Sequence, residues 1–294
     1  LLILIFGEIA ISFSEKGNYP TLINDEEIAF SLKLDNSYSD YYSTFDLDGS
    51  IRSFMDKWEI RGASVAITKD EKLVYAKGFG TANSEMGEVV KPGHLFRIAS
   101  VSKLITAIAV MKLHENGRLE FDEKVFGSDG ILKDSIYLNY IDKRIEDITI
   151  RQLLNHTAGW SRYAGDPVFN SLHIAWKMNV EAPAQVDQII QYTLNNRRLN
   201  YPPGTKYSYS NFGYTLLGKI IEKKSGMLYQ DYVVFSILKP LGIHDMHLGK
   251  NYYHEKYPNE VTYYDNGKAK QVYSVNGCLL YTSDAADEED SVDL

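Results

Sequence analysis

The stretch IASVSKLITAIAVMKLHENG, residues 98–117, reads as an apolar helix with an awkward beginning, because Ser100 and Lys103 stand in its first turn. The positive end of a helix dipole disfavours a cation there. A serine hydroxyl is a weak nucleophile until a base takes its proton, and side chains three residues apart share one face of a helix. Burial and the dipole both favour the neutral amine, the form that accepts a proton, and the same dipole helps a developing alkoxide. Ser100 and Lys103 are therefore candidate nucleophile and base. Asn116-Gly117 supplies the stop at the far end of the helix.

The same spacing occurs once more, at Ser236-Ile237-Leu238-Lys239. That lysine closes a helix just before Pro240, where a cation suits the negative end of the dipole, so the second match reads as structural. Protonating a leaving group requires a further acid. The segment YPPGTKYSYSNFGYTLLGKIIEKKSG, 201–226, offers Tyr209-Ser210-Asn211 between a Pro-Pro-Gly turn and an amphipathic helix, a setting that holds the triplet in a fixed loop. The triplet alone says little in a chain with 22 tyrosines, since Tyr-x-Asn recurs at Tyr137, Tyr257 and Tyr264.

Upstream, DLDGSIRSFMDKW (46–58) spaces Ile51, Phe54, Met55 and Trp58 as a helix does, and GASVAITKDEKLVYAKGFG (62–80) carries two β-rich runs around Lys69-Asp70-Glu71, a hairpin signal. Downstream, residues 149–156, 184–194, 211–226 and 228–238 read as helices. No repeat and no low-complexity linker divides them. Helix, hairpin and a run of helices imply an α+β domain with a helical region inserted into it.

Five motifs, in order, then resemble those of the serine β-lactamase and penicillin-binding-protein-like hydrolases, in particular the class C β-lactamase and esterase branch. They are LFRIASVSKLITA (95–107), NGRLEFDEKV (116–125), ITIRQLLNHTAGW (148–160), PPGTKYSYSNFGYTLLGKIIEKKSG (202–226) and LKPLGIHDM (238–246). The resemblance implies a β-lactamase/transpeptidase-like fold, an antiparallel sheet flanked by helices, over residues 46–277. It implies Ser100 as the acylated nucleophile, Lys103 as its proton acceptor, Tyr209 as general acid/base and Asn211 as a substrate-orienting hydrogen-bonder. The backbone N–H of Ser100 would be half of the oxyanion hole. Neither metal nor organic cofactor is implied. His156 reads as a helix-end residue rather than a base, and His244 and His247, despite their spacing, as part of a turn rather than as metal ligands.

The implied partner is a small-molecule or cell-wall peptide substrate: a β-lactam, a D-amino-acid peptide or a small ester. With 44% hydrophobic and 13% aromatic residues in 294, the chain is rich enough for a packed core. Six acids among residues 278–294 account for most of the net charge of −8 and leave −2 elsewhere, with no basic stripe, so nucleic acid is set aside. LLILIFGEIAISFS (1–14) is shorter than the ~20 residues of a membrane span and offers Ala10-Ile11-Ser12 as a cleavage pattern, so it reads as an incomplete signal peptide of an exported, periplasmic or envelope-associated protein. A buried strand or helix is the other reading of that run. A polar lead-in, 15–45, follows it. Cys278 is the single cysteine, so no internal disulfide is possible.

The family's third motif, Lys or His followed by Thr or Ser and Gly on a C-terminal strand, is expected to be absent after Asn211. Residues 278–294 instead open with CLLYTSDAADE, which matches the in-frame translation of a sequencing-library transposon end and adapter better than a divergent copy of a family segment. The expectation is a chain short of its C-terminal strands, whose hairpin keeps an open, aggregation-prone edge and whose product is poorly soluble or inactive. Two other readings stay open. One is a noncatalytic relative that binds peptidoglycan or a protein. The other is a membrane-anchored structural protein, with membrane contact only through an uncleaved N-terminal segment.

Overall fold

Alternating small and β-branched residues from Gly62 onward build the hairpin. In a computed structural model, which describes residues 35–161, 165–265 and 267–270, strand β1 runs Gly62–Lys69 and β2 runs Lys72–Asn83. Asp70 and Glu71 join them, both with positive φ (49° and 61°), as a two-residue turn whose twist matches the strands requires. Strand β3, Glu88–Val89, adds to the other side of β2, giving an antiparallel sheet in the order β1-β2-β3. Gly80 has φ +70°, and a Cβ there would stand 2.0 Å from the Arg61 carbonyl oxygen, so only glycine lets the strands approach at that point.

Helix α1, Phe45–Lys57, lies on this sheet: Met55 packs with Tyr75 and Phe79, flanked by Leu47, Ile51, Ala63 and Val65. The same face carries a buried ion pair. Lys77, between Tyr75 and Phe79 on β2, places Nζ 2.6 Å from Asp48 of α1 and 2.5 Å from Asp40, and the Tyr75 hydroxyl donates to Asp48 at 2.6 Å. The end of the tyrosine-rich lead-in joins this unit too, because the hydroxyl of Ser39 accepts from the amide of Ala76 and donates to its carbonyl. Ala82, Val90 and Val261 form a second small cluster, where Leu95 and Glu260 make a parallel bridge. A short pair, β4 (Tyr264–Asp265) and β5 (Lys268–Ala269), follows. Contacts group these parts as one unit, the described residues up to 96 with Leu238–His247 and Lys256–Lys270.

Arg97–Ile237, with Leu248–Glu255, is the second unit, so a largely helical region is inserted in the sequence of the sheet unit. Its described helices are α2 (Ser102–Glu115), α3 (Ile150–Leu154), α4 (Ser171–Met178), α5 (Val186–Asn196), α6 (Asn211–Ser225) and α7 (Tyr229–Val233). Helix α6 is apolar nearly all round, with Phe212, Leu216, Leu217, Ile220 and Ile221 fully buried, and it packs against α2, α3 and α7. Helix α2 buries Thr106, Ala109, Val110 and Leu113, and leaves Val101, Leu104, Ile108 and Met111 exposed around it.

Two expectations change in detail. The helix expected from Ser100 does not begin there: a 3₁₀ turn, Ala99–Val101, leads into α2. The helix expected over 228–238 is α7 followed by a π-helical turn, Val234–Leu238, because Pro240 lacks an N–H and its ring clashes with the preceding turn of a continuing α-helix. Residues 1–14 and 278–294 lie outside the described residues.

The Lys77 ammonium is buried, and its better-shielded counter-ion is Asp48. Removing one partner of a buried pair leaves an uncompensated charge. Asp48→Ala is expected to lower the unfolding free energy by about 3 kcal/mol, the low end of the usual range because Asp40 remains. Urea denaturation of the two proteins measures it.

Candidate active site

Ser100 is presented by strain. Ala99 before it has φ +42°, a conformation that alanine seldom adopts, and the 3₁₀ turn that follows leaves Ser100 exposed. Residues three apart nearly eclipse in a 3₁₀ turn. Lys103 Nζ accordingly lies 3.2 Å from Ser100 Oγ although the lysine itself is buried. On the other side, Ser100 Oγ and Tyr209 Oη share a hydrogen bond of 2.7 Å. Lys103 Nζ also faces two rings, 4.8 Å from the centroid of Tyr209 and 5.7 Å from that of Tyr214.

The loop carrying Tyr209 is held amide by amide. Ser210 N–H donates to His156 Nδ1 at 3.2 Å, and Asn211 N–H donates to Asp166 Oδ2 at 2.8 Å. Phe212 N–H also bonds Asp166, and Gly213 N–H donates to the Ser210 hydroxyl at 3.0 Å, the N-cap of α6. Asp166 further caps its own 3₁₀ turn through Val168 N–H at 3.1 Å. Burial pushes the Asp166 carboxyl up, against these backbone donors and Lys103, which hold it down.

Sequence reasoning singled out Ser100, Lys103, Tyr209 and Asn211. Ser100, Lys103 and Tyr209 meet directly, and Asn211 is buried at the start of α6, two residues after Tyr209. It overlooked Tyr214, Asp166 and the role of His156. Tyr214 had a signal, since it lies three residues beyond Asn211 on the same helix. Asp166 had none. His156 does stand just beyond the end of α3, with φ +56°, and its ring also lies tilted against Tyr209 (4.6 Å, 37°) and Tyr214 (5.0 Å, 32°).

The remaining sequence signals fall elsewhere. Ser236 sits in the π-helical turn and Lys239 opens the next 3₁₀ turn. His247 stacks on Tyr257 at 4.5 Å, and no group of three metal-ligating side chains gathers among the described residues. The letters of the family's third motif do occur after Asn211, as Lys224-Ser225-Gly226. They end helix α6, where Gly226 is a left-handed cap and Lys224 pairs with Glu123, rather than lying on a strand.

Burial first, and then the Lys103 charge, pull the His156 imidazole down to about 4 from its ordinary 6.5. Between those values the unfolded chain binds a proton that the folded one refuses, so this histidine destabilises the fold progressively as pH falls from 6.5 towards 4. The urea midpoint should therefore drop over that window. In His156→Gln, which keeps an acceptor for Ser210 N–H, the drop should be smaller.

Comparison with known proteins places the chain in a family. The Beta-lactamase family model matches residues 47–287. The chain is 33% identical over 221 residues to penicillin-binding protein 4* of Bacillus subtilis, covering 74% of this chain and 44% of that protein. Among solved structures, the octameric penicillin-binding protein homologue from Pyrococcus abyssi aligns with a TM-score of 0.58 at 29% identity, over 79% of this chain and 52% of that one. A class C β-lactamase in complex with cefoxitin aligns with a TM-score of 0.61 at 24% identity, over 80% and 60% respectively, a likeness of fold. The chain thus spans about half the length of these relatives, and its fold is of the β-lactamase/transpeptidase type. With most of its length matched by the family model, the chain belongs to the Beta-lactamase family of serine hydrolases.

Proposed function

We propose that the protein is an acyl-transferring serine hydrolase in which Ser100 forms the acyl-enzyme. The observation that carries this reading is the line Lys103 Nζ, Ser100 Oγ, Tyr209 Oη, with separations of 3.2 and 2.7 Å. Lys103 in its neutral form takes the hydroxyl proton as Oγ attacks the substrate carbonyl carbon. The negative charge that develops on the carbonyl oxygen faces the N–H of Ser100, which in the first turn has no intrahelical acceptor. Tyr209 Oη then delivers a proton to the leaving group as the carbon–heteroatom bond breaks. Water attacks the acyl-enzyme in the second half, with the same groups acting in reverse, and Asn211 orients the substrate amide.

Substrates of the reading are a β-lactam, a D-amino-acid peptide or a small ester; the named relatives include a penicillin-binding protein and a cefoxitin-bound β-lactamase. Export to the cell envelope goes with it, as expected from residues 1–14. Among the described residues no helix is long and apolar enough to cross a membrane. A noncatalytic, peptidoglycan- or protein-binding relative is the second reading. It draws on the helix-end position of Lys224-Ser225-Gly226, which leaves the second oxyanion donor unassigned among the described residues.

Labelling with a fluorescent penicillin and a fluorophosphonate, followed by peptide mapping, separates the two. Wild type is expected to be modified at Ser100 and Ser100→Ala not at all, while Ser236→Ala labels normally. Tyr209→Phe should slow labelling by about 10²–10⁴-fold, the usual contribution of a positioned proton donor. Persistent modification of Ser100→Ala would refute the assignment, and no modification of a well-folded wild type would favour the noncatalytic reading.

A further inference from the structure

A catalytic tyrosine on a loop needs something other than its own hydrogen bond to hold it in place. Four successive amides, 210 to 213, are engaged here, and two of the four are held by one carboxylate from 45 residues away. Helix α6 has its own N-cap in Ser210, so the first-turn donors beyond the reach of that hydroxyl, Asn211 and Phe212, are the ones Asp166 takes. The register in which α6 starts decides where Tyr209 and Asn211 stand, since they flank the N-cap on either side.

We infer that Asp166 is a positioning residue of the site: its carboxylate clamps the start of helix α6 from outside the helix and so sets Tyr209 against Ser100. The inference rests on the acyl-enzyme reading for its effect on rate, and on geometry alone for its effect on Tyr209. A carboxylate suits the task because both oxygens accept, whereas an amide in its place points one N–H₂ group at backbone donors. His156 is the second support of the same loop, through Ser210 N–H and through its own carbonyl, which accepts from Ser208 N–H at 2.7 Å. The Asp166 carboxyl borders a cleft of about 260 Å³ lined by Trp160, Ser161, Arg197, Arg198, Asn200 and Ser210, so an amide of equal size fits without repacking.

The test compares wild type, Asp166→Asn and Tyr137→Phe in two measurements. Tyr137→Phe removes the hydrogen bond that the buried Tyr137 hydroxyl donates to Asp187 in the same unit and serves as a control for destabilisation alone. The first measurement is the saturating rate of Ser100 labelling by a fluorescent penicillin. The second is the ring-carbon NMR resonance of Tyr209 in ¹³C-tyrosine-labelled protein, assigned by its loss in Tyr209→Phe. Asp166→Asn is expected to slow labelling at least tenfold and to move the Tyr209 resonance, while Tyr137→Phe lowers the melting temperature and changes neither. Labelling at the wild-type rate, or an unmoved Tyr209 resonance, overturns the inference and leaves the acyl-enzyme reading standing. If wild type is not labelled, that reading fails and the resonance alone decides: a shift in Asp166→Asn supports the clamp and no shift overturns it. Should Asp166→Asn not accumulate, Asp166→Ser, with a shorter single acceptor, is read by the same criteria.

Discussion

An amine buried at the N-terminal end of an apolar helix is the constraint on which the helical unit is organised. Lys103 gains nothing there from the helix dipole. Its Nζ meets a hydroxyl and the faces of two tyrosines. The 3₁₀ turn before α2 and the positive φ of Ala99 cost conformational energy, and they persist because they bring Ser100 beside that amine.

The sheet unit treats its own buried lysine in the opposite way. Lys77 has two carboxylates within 2.6 Å and a tyrosine hydroxyl on one of them, which together hold it charged. The two lysines differ more sharply in their partners than in their burial, since both are nearly inaccessible. A paired charge tethers α1 to the strand, whereas Lys103 faces a hydroxyl and two rings.

The tyrosine side of the site depends on a different kind of interaction. Here the holding groups are side chains that accept from consecutive backbone amides, with His156 and Asp166 approaching from distant parts of the chain. Such bonds hold the loop through its backbone and leave the Tyr209 side chain to meet Ser100. They also explain why His156, with its imidazole neutral at ordinary pH, serves as an acceptor and a stacking platform rather than as a base.

Local sequence determined what depends on spacing and chain stiffness. The hairpin over 62–80, the helix at 46–58, the stop at Asn116-Gly117 and the Ser100–Lys103 pair all follow from period, turn chemistry and cap residues within a few positions. The meeting of Ser100 with Tyr209 spans 109 residues and was legible only through the order of motifs, not through any local signal. The 3₁₀ start of the nucleophile helix, the π-helical turn before Pro240 and the roles of His156 and Asp166 were decided by tertiary structure. A side chain that caps a helix from 45 or 54 residues away leaves no periodicity to read, because its partner is a backbone N–H that every residue except proline carries.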